Sequence, residues 1–394
     1  MSRRPINLSP DLKRLQDEGY DLEIRKGFLL TKDVPYANSQ KQVRRGILVV
    51  KLKLAGDVTD KPDDHVAYFQ GEHPCDANGA KLVKIEHVSS ERTLAEGVVI
   101  QHSFSAKPKP NDRYDNYYHQ VTTYVAMFCG QAKVIDPSAT AKTYPVIPND
   151  DDENPVFNYI DTASSRAEIG LLTQKLAHKK LGIVGTGGTG AYVLDFTAKT
   201  PVVEIHLFDK DSFSQHNAFR APGAPSLDEL RTKPSKVHYL KSIYAHMHRG
   251  IVAHEEFLND ENVETLRGMD FVFLCLDQGS VKKMIVAKLE EFAVSFIDVG
   301  MGVYEADGSL SGILRVTTST PGRRETARRR MAFSDGDGRN EYARNIQIAE
   351  LNALNAALAV IKWKKLCGFY HDLDGEHSTT FTINGNFLCN EDKK

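Results

Sequence analysis

Cysteine is scarce in this chain of 394 residues, and its five copies stand far apart in the sequence. No two of them form a Cys-x-x-Cys pair, so neither a disulfide framework nor a structural zinc site made of cysteines is expected. An excess of one charge is lacking as well, because 50 Lys and Arg residues face 52 Asp and Glu residues. A balanced chain is not built to coat nucleic acid through bulk charge, so we expect no nucleic acid among its partners.

Long apolar runs are also missing. No stretch approaches the roughly 18 apolar residues that would span a membrane, and the first residues have no apolar core of the kind that a secretory signal peptide needs. Hydrophobic residues make up 41% of the chain, which is ordinary for globular proteins and sufficient for sizeable cores. These features predict a globular protein of the reducing cytoplasm, with two or three domains and no membrane partner.

The first part of the chain predicts a smaller, strand-rich α+β domain over residues 1–148. Residues 9–18 have the pattern of a short helix capped by Ser9. Strands are predicted over residues 46–56, 96–106 and 122–129. Three prolines and four acidic residues then crowd into Pro145–Pro155, a composition typical of an exposed linker. We place the domain boundary in this linker.

The second part, residues 156–394, predicts a different architecture. A helix is predicted over residues 162–179, ahead of the first strand. Short apolar strands are then predicted over residues 180–185, 202–209, 271–277 and 294–300. Helical patterns separate these strands, and such alternation is typical of βαβ units around a mainly parallel sheet. The sequence therefore predicts an α/β, Rossmann-like second domain.

A glycine-rich turn follows the first strand of the second domain and precedes a helix. Its glycines are Gly185, Gly187, Gly188 and Gly190. Glycines let the backbone turn sharply and approach a phosphate, and the free N–H groups of the following helix favour an anion. The turn predicts a nucleotide site without deciding which nucleotide binds there.

Polar residues after this turn narrow the choice of nucleotide. Asp209 and Asp211 end the next strand, where a carboxylate can accept hydrogen bonds from ribose hydroxyls, and an NAD-dependent oxidoreductase would explain them equally well. Such an oxidoreductase would leave three later residues, Arg220, Lys236 and Asp277, without a role. Together with Asn217, these residues follow Asp211 along the chain in the order Asn217, Arg220, Lys236 and Asp277. Two cations can neutralise the phosphates of ATP, and a carboxylate at a strand end can hold Mg²⁺.

In this order and spacing the motifs resemble those of the ubiquitin-activating superfamily, the adenylating enzymes of the ThiF, MoeB and HesA type. The family signature is G-x-G-G-x-G, D-x-D, N-x-x-R, a lysine on the following helix, and C-x-D, which this chain supplies as Cys275 and Asp277. The resemblance covers residues 162–392. Two positions depart from the family, since Ala221 stands where a glutamine often follows the arginine and Gln278 stands where an asparagine often follows the metal aspartate.

The resemblance implies ATP-dependent adenylation of a C-terminal carboxylate, usually that of a ubiquitin-like protein ending in glycine. It implies that the glycine turn cradles the phosphates, that Asp209 and Asp211 hold the ribose, and that Asp277 anchors Mg²⁺. It implies that the negative charge of the phosphates is offset by Asn217, Arg220 and Lys236. It also implies that Arg166 reaches the nucleotide of the opposite subunit in a homodimer.

The step after adenylation is left open by the sequence. Residues 276–366 contain no cysteine, so a thioester on this segment is not expected. One hypothesis is an oxyester on Ser319, Thr320 or Ser334, and the simpler one is adenylation alone with another protein as acceptor. The arginine run of residues 323–330 is either a solvated loop or a docking site for an acidic partner surface.

With its additional first domain, the chain resembles a bacterial arrangement found in ubiquitin-like conjugation operons, some of them linked to antiviral defence. This resemblance implies a recognition domain for the ubiquitin-like protein or for a conjugating enzyme. Cys75 could form a nucleophile pair or a metal site with His73, His102 or His119, but ordinary polar residues of a recognition domain explain them better. A non-catalytic scaffold is the other alternative, and the full set of charged motif residues speaks against it.

Overall fold

The computed structural model describes residues 4–149, 155–333 and 346–393. The chain forms two compact units, one made of residues 1–153 with 160–166 and the other of residues 154–159 with 167–394. Residues 150–154 of the predicted linker and Ser334 lie outside the described residues. In the part of the chain that the structure describes, no helix has both the length and the apolar character needed to cross a membrane.

The first unit is an antiparallel sheet with a long helix packed against it. Its helices are α1 (Arg4–Leu8), α2 (Pro10–Asp17), α3 (Tyr117–Ile135) and α4 (Thr162–Arg166). Its strands are β1 (Leu22–Arg25), β2 (Phe28–Ala37), β3 (Val43–Lys51), β4 (Leu54–Ala55), β5 (Val58–Thr59), β6 (Val66–Gln70), β7 (Glu86–Ala95) and β8 (Val98–Ser105). Strands β4 and β5 pair with each other, and the other six form a sheet in the order β1-β2-β3-β6-β8-β7. This α+β architecture agrees with the prediction for the first domain.

The strand predicted over residues 122–129 is wrong, because this segment lies in the middle of α3. Its β-branched and aromatic residues favoured a strand. The side chain of Asn116 accepts a hydrogen bond from the N–H of His119 and so caps the helix. Val121, Val125 and Phe128 then fall at helical spacing and all join the core of the unit. Packing against the sheet overrides the local strand preference.

The second unit combines a parallel sheet with an antiparallel extension. Its helices are α5 (Gly170–Thr173), α6 (Gly188–Thr197), α7 (Gln215–Ala218), α8 (Leu227–Thr232), α9 (Lys236–Tyr244), α10 (Gly279–Glu291), α11 (Arg324–Arg330) and α12 (Ala349–Leu366), with short 3₁₀ helices at Gln174–Leu176 and Val263–Gly268. Its strands are β9 (Lys180–Val184), β10 (Glu204–Phe208), β11 (Ile251–His254), β12 (Phe271–Leu274), β13 (Ser295–Ala306), β14 (Ser309–Ser319), β15 (Ser378–Thr382) and β16 (Phe387–Glu391). The predicted helix over residues 162–179 is divided among α4, α5 and a 3₁₀ turn, since Glu168 adopts a left-handed conformation with φ of 57°.

The strand order of the second unit fixes where a ligand can bind. Eight strands form one sheet in the order β11-β10-β9-β12-β13-β14-β15-β16. The first five are parallel, and the last three continue the sheet as antiparallel neighbours. Chain order reverses between β9 and β12, and ligands of such folds bind in the crevice beyond the carboxyl ends of the strands at this point. The predicted Rossmann-like fold is confirmed.

A buried ion-pair network ties the end of α12 to the loop before β15. Lys362 Nζ lies 3.0 Å from Asp372 Oδ2 and 3.6 Å from Glu376 Oε1, and only 5% of the lysine side chain is exposed. Lys365 Nζ lies 2.9 Å from the same oxygen of Glu376. These contacts hold α12 against the antiparallel part of the sheet.

Acid is expected to weaken the fold through Asp372. Burial raises the pKa of this carboxyl, but hydrogen bonds from Lys362 and from the Gly375 N–H, with the charge of Lys362, lower the pKa to about 2 overall. Because the pKa is depressed in the folded state, the stabilisation is complete above about pH 4 and is lost as the pH falls towards 2. Asp372→Asn should therefore destabilise the second unit by about 2 kcal/mol at pH 6 and by much less at pH 2.5. Urea unfolding followed by the fluorescence of Trp363, the single tryptophan, measures the difference, and a gap independent of pH would contradict the expectation.

Candidate active site

A cavity of about 760 Å³ opens at the carboxyl ends of the parallel strands in the second unit. This volume lies within the range of small-molecule sites. The predicted residues that line it are Gly185, Gly187, Asp209, Asp211, Arg220, Lys236 and Asp277. The cavity therefore brings together residues from five separate segments of the chain.

The four glycines of the turn have different structural tasks. Gly185 has a φ of 85°, and a side chain there would press against the carbonyl oxygen of Cys275. A Cβ at Gly190 would clash with the carbonyl oxygen of Gly185, and one at Gly188 would clash with the side chain of Asn352. Gly187, by contrast, has no atom within 4 Å of where its Cβ would stand. The turn is thus tightly packed at three of its glycines and open at Gly187, where a phosphate can approach the N-terminus of α6.

Asp209 holds the turn in place. Its Oδ2 accepts hydrogen bonds from the N–H and the hydroxyl of Thr186, at 2.8 and 3.1 Å, and its Oδ1 accepts one from the N–H of Asp211 at 2.9 Å. Asp209 is buried, whereas 57% of the Asp211 side chain is exposed. Of the two residues predicted to hold ribose, Asp211 is therefore the one whose carboxylate is exposed.

Lys236 places a positive charge inside the cavity. It begins α9, whose N-terminus is capped by the Ser235 side chain. Its Nζ lies 2.6 Å from Asp211 Oδ2 and 3.5 Å from Asp209 Oδ1, and only 9% of its side chain is exposed. Two carboxylates thus pair with this buried side chain.

Arg220 is the second cation of the cavity, and Asn217 shapes the turn that carries it. The carbonyl oxygen of Asn217 accepts a hydrogen bond from the Arg220 N–H at 3.1 Å, and its side-chain oxygen accepts one from the Ser214 N–H at 2.9 Å. Asn217 does not line the cavity, so it supports the arginine rather than facing a ligand. Burial lowers the pKa of Arg220, and the carboxylate of Asp277 partly offsets this. Among the described residues, the buried Nε of Arg220 has no hydrogen-bond partner.

Asn352 connects these parts and was missed by the sequence analysis. Its Oδ1 accepts a hydrogen bond from the Thr189 hydroxyl at 2.8 Å, and its Nδ2 donates one to the carbonyl oxygen of Arg220 at 3.3 Å. It thereby joins the start of α6 to the arginine turn. The available signal was the pair Asn352 and Asn355, which are buried polar residues on the same face of α12 as Ala356 and Ala359.

A buried group of charges was also missed. Asp298 on β13 is fully buried, and its carboxylate lies 2.8 Å from Lys282 Nζ and 3.0 Å from Arg315 Nη2. Lys282 and Arg315 both line the cavity. An acidic residue within an apolar strand, in the segment F-I-D-V-G, was the signal that could have pointed to this group.

The structure places Ser319 and Thr320, two of the three hydroxyls proposed for an oxyester, far from the cavity, and the third, Ser334, lies outside the described residues. Ser319 pairs with Phe296, near the start of β13, whereas the cavity lies at the other end of the parallel strands. Thr320 follows Arg315 by five residues, which corresponds to roughly 16 Å along a strand. Cys275 does line the cavity, but burial raises the pKa of its thiol and disfavours the nucleophilic thiolate. These positions favour the hypothesis of adenylation alone.

The arginine run pairs with acidic groups of its own unit. Arg328 forms an ion pair with Glu290, and Arg329 forms one with Glu325. Arg330 Nη1 lies 2.7 Å from Glu391 Oε2. The run forms the helix α11 rather than a loop, and the side chains of Arg328 and Arg329 remain exposed. The docking site for an acidic partner surface therefore stays a prediction.

In the first unit, the cysteine and histidines singled out by sequence do not form a metal site. Cys75 is buried, its thiol donates to the carbonyl oxygen of His73 at 3.3 Å, and burial raises its pKa. No group of three metal-ligating side chains is placed to hold an ion anywhere in residues 4–149, 155–333 and 346–393. Arg166 also lies in this unit, with its guanidinium carbon 5.3 Å from the centre of the Tyr144 ring.

The cavity residues fit ATP with a magnesium ion. An open glycine turn at a helix N-terminus, one buried and one half-buried cation and an exposed carboxylate suit the phosphates and ribose of ATP. Mg²⁺ prefers oxygen ligands and is commonly bound through one or two carboxylates together with substrate phosphates. Four carboxylates line the cavity, those of Asp209, Asp211, Glu256 and Asp277, and among them Asp277 and Asp211 could supply such ligands.

Removing the Asp211 carboxylate is expected to weaken the recognition of ribose. If its carboxylate accepts hydrogen bonds from the sugar, Asp211→Asn should raise the KM for ATP about tenfold, since a charge-assisted hydrogen bond contributes on the order of 1.5–3 kcal/mol. The preference for ATP over its 2′-deoxy and 3′-deoxy forms should shrink by a similar factor. Steady-state kinetics with the three nucleotides measure this, and an unchanged preference would rule out a ribose contact.

Two family models match the chain. The ThiF family matches residues 162–383, which is more than half of the chain, and a domain of unknown function, DUF6791, matches residues 10–162. No curated protein sequence matches the chain at a significant level.

Several solved structures are similar to the second part of the chain. E. coli MccB with MccA-N7isoAsn is 16% identical, with a TM-score of 0.45, over 58% of this chain and 69% of that one. The microcin C7 biosynthetic enzyme MccB in complex with N-formylated MccA is 19% identical, with a TM-score of 0.45, over 58% of this chain and 70% of that one. PaaA is 18% identical, with a TM-score of 0.42, over 56% of this chain and 75% of that one.

Proposed function

Because this chain belongs to the ThiF family of adenylating enzymes, we propose that it activates the C-terminal carboxylate of a ubiquitin-like protein that ends in glycine. The enzyme is an ATP-dependent adenylyltransferase acting on a carboxylate. The observation that supports this reaction best is a pair of cations, the half-buried Arg220 and the buried Lys236, which line one cavity with the glycine turn. An NAD-dependent oxidoreductase gives neither cation a task.

The proposed reaction follows from the charges in the cavity. A carboxylate oxygen of the substrate attacks the α-phosphorus of ATP, an O–P bond forms, the bond between the α- and β-phosphates breaks, and pyrophosphate leaves. Negative charge shifts onto the phosphate oxygens during this step, and Arg220 and Lys236 are fixed to offset it. Mg²⁺, held by Asp277, would neutralise part of the charge on the phosphates when it is bound.

The assembly is part of the proposal. We propose a bacterial homodimer in which Arg166 reaches the nucleotide of the opposite subunit, and a first unit that recognises the ubiquitin-like protein or a conjugating enzyme. Some conjugation operons with this domain arrangement are linked to antiviral defence, and we propose the same role for this chain. The mass in solution tests the dimer directly.

Exchange of labelled pyrophosphate into ATP tests the reaction itself. We expect exchange when a glycine-ended ubiquitin-like protein encoded by a neighbouring gene is present, and none when no glycine-ended substrate is added or when the last glycine of the protein is deleted. A mass spectrum of the quenched mixture should show the partner with an added adenylate. Exchange that is absent with the intact partner, or that persists in Asp277→Ala, would contradict the proposal.

A further inference from the structure

The cavity continues past the residues predicted to hold the nucleotide. Those residues end at Asp277, directly beyond β12, whereas the lining extends over Gly300 and Met301 of β13 to Arg315 of β14. Neighbouring strands are about 4.8 Å apart, so β14 lies on the order of 10 Å from β12. Asp211 lies at the opposite end, beyond β10. With ribose at that end, the strands β13 and β14 are the side from which an acyl substrate can approach the α-phosphate.

The charge at this far end is positive and fixed in position. The buried carboxylate of Asp298 is shared by two cations, Lys282 and Arg315, which leaves one positive charge in excess. The Lys282 side chain is only 5% exposed, whereas that of Arg315 is 26% exposed. A Cβ on Gly300 would stand 2.9 Å from Arg315 Nη2, so the guanidinium lies against the bare backbone of this glycine. The accessible cation is therefore Arg315, which is held in place by the Asp298 carboxylate and by close packing against Gly300.

Two buried polar atoms at this end have no hydrogen-bond partner among the described residues. They are Nε of Arg315 and Oδ1 of Asn355. Asn355 is fully buried and lines the cavity, and its Nδ2 donates to the carbonyl oxygen of Gly300 at 3.1 Å. Because buried polar groups are seldom left unpaired in native proteins, a ligand that supplies both an acceptor and a donor is expected here. A peptide with an acidic side chain supplies both.

We propose that Arg315 is a specificity-determining residue that binds an acidic side chain close to the carboxyl terminus of the substrate. An extended peptide advances about 3.3 Å per residue, so a distance near 10 Å places this side chain at the second or third residue from the terminus. Asn355 accepts a hydrogen bond from the same tail. The inference rests on the proposed function, since it assumes that a peptide carboxylate reacts at the α-phosphate.

Pyrophosphate exchange with synthetic ten-residue peptides tests the assignment. The peptides end in glycine and differ only in having Asp, Asn or Lys at the second or third residue from the terminus. The wild-type enzyme should use the Asp peptides with a kcat/KM about tenfold above that for the Asn peptides, chiefly through KM, because a charge-assisted hydrogen bond is lost in the latter. In Arg315→Gln, the kcat/KM values for the Asp and Asn peptides should lie within threefold of each other. Arg315→Lys should retain part of the preference for the Asp peptides, and Arg315→Glu should instead favour the Lys peptides.

The controls separate this inference from the proposed function. Arg329→Gln is a matched variant, because its side chain is 75% exposed and its ion pair is with Glu325, and it should keep the wild-type preference. Binding of a non-hydrolysable ATP analogue, measured by calorimetry, tests the nucleotide site alone, and failure of the wild type to bind it would refute the proposed function. Exchange without a preference for the Asp peptides, or a preference that survives in Arg315→Gln, would overturn the role of Arg315. Neither result would contradict adenylation. Exchange with none of the peptides, while the analogue binds, would also overturn it, since ten residues include every position that reaches Arg315.

Discussion

Replacing Arg220 with alanine is expected to lower the rate of pyrophosphate exchange by about 100- to 1,000-fold. This range is typical when one fixed donor to a developing negative charge is removed. Arg220 is half-buried in the cavity, and its Nε has no hydrogen-bond partner among the described residues. A ligand phosphate can therefore use the fork of donors that the guanidinium presents. Exchange rates at saturating ATP and partner measure the effect on kcat.

Variants of the same residue type distinguish a catalytic effect from a loss of charge or of structure. Arg220→Lys keeps the charge but loses the planar fork, so we expect an intermediate rate. Arg231→Ala is the matched control, because 73% of the Arg231 side chain is exposed and its ion pair is with Asp228 on the same helix. Its exchange rate should stay within twofold of the wild type. A rate for Arg220→Ala within tenfold of the wild type would show that this arginine does not stabilise the transition state.

The residues that could be predicted from sequence are those whose role follows from local geometry. A glycine turn between a strand and a helix has one structural meaning, and Asp209, Asp211 and Asp277 each follow a strand of a parallel sheet. The carboxyl ends of such strands meet at one edge, so their assembly into one cavity follows from the order of elements. The order of elements does not show which aspartate contacts the protein and which faces the cavity. Asp209 and Asp211 are two positions apart, yet only the three-dimensional structure shows that the Asp209 carboxylate accepts hydrogen bonds from Thr186.

The residues that were missed depend on pairings between distant segments. Asp298 meets Arg315 only because β13 and β14 form an antiparallel hairpin in a particular register. Asn352 reaches Thr189 across 163 positions of sequence, and no local pattern encodes that distance. The segment 122–129 shows the same limit in secondary structure, because the choice between helix and strand was decided by the sheet that α3 covers. Contacts between distant residues thus determine both the missed part of the site and the error in the fold.

Asp298→Asn is expected to destabilise the second unit by about 3–5 kcal/mol, the usual cost of leaving a buried charge without its partner. The substitution removes the carboxylate shared by Lys282 and Arg315, and Lys282 is too deeply buried for water to replace it. The fluorescence of Trp363, which is buried in the core of the same unit, reports the urea unfolding of this unit. Asp228→Asn removes an ion-pair partner that is 89% exposed, and this control should cost less than about 1 kcal/mol.

A double variant tests whether the loss arises from the unpaired ammonium. Lys282→Met removes that charge with little change of volume, so Lys282→Met combined with Asp298→Asn should be more stable than Asp298→Asn alone by at least about 1 kcal/mol. The same double variant leaves Arg315 without its carboxylate, so its preference for acidic peptides should weaken even where stability is regained. A single variant that costs less than about 1 kcal/mol, or a double variant that regains nothing, would show that the three charges do not act as one buried unit. If the double variant recovers stability but loses the preference for acidic peptides, the two roles of Asp298 are separate. These roles are to neutralise Lys282 and to position Arg315.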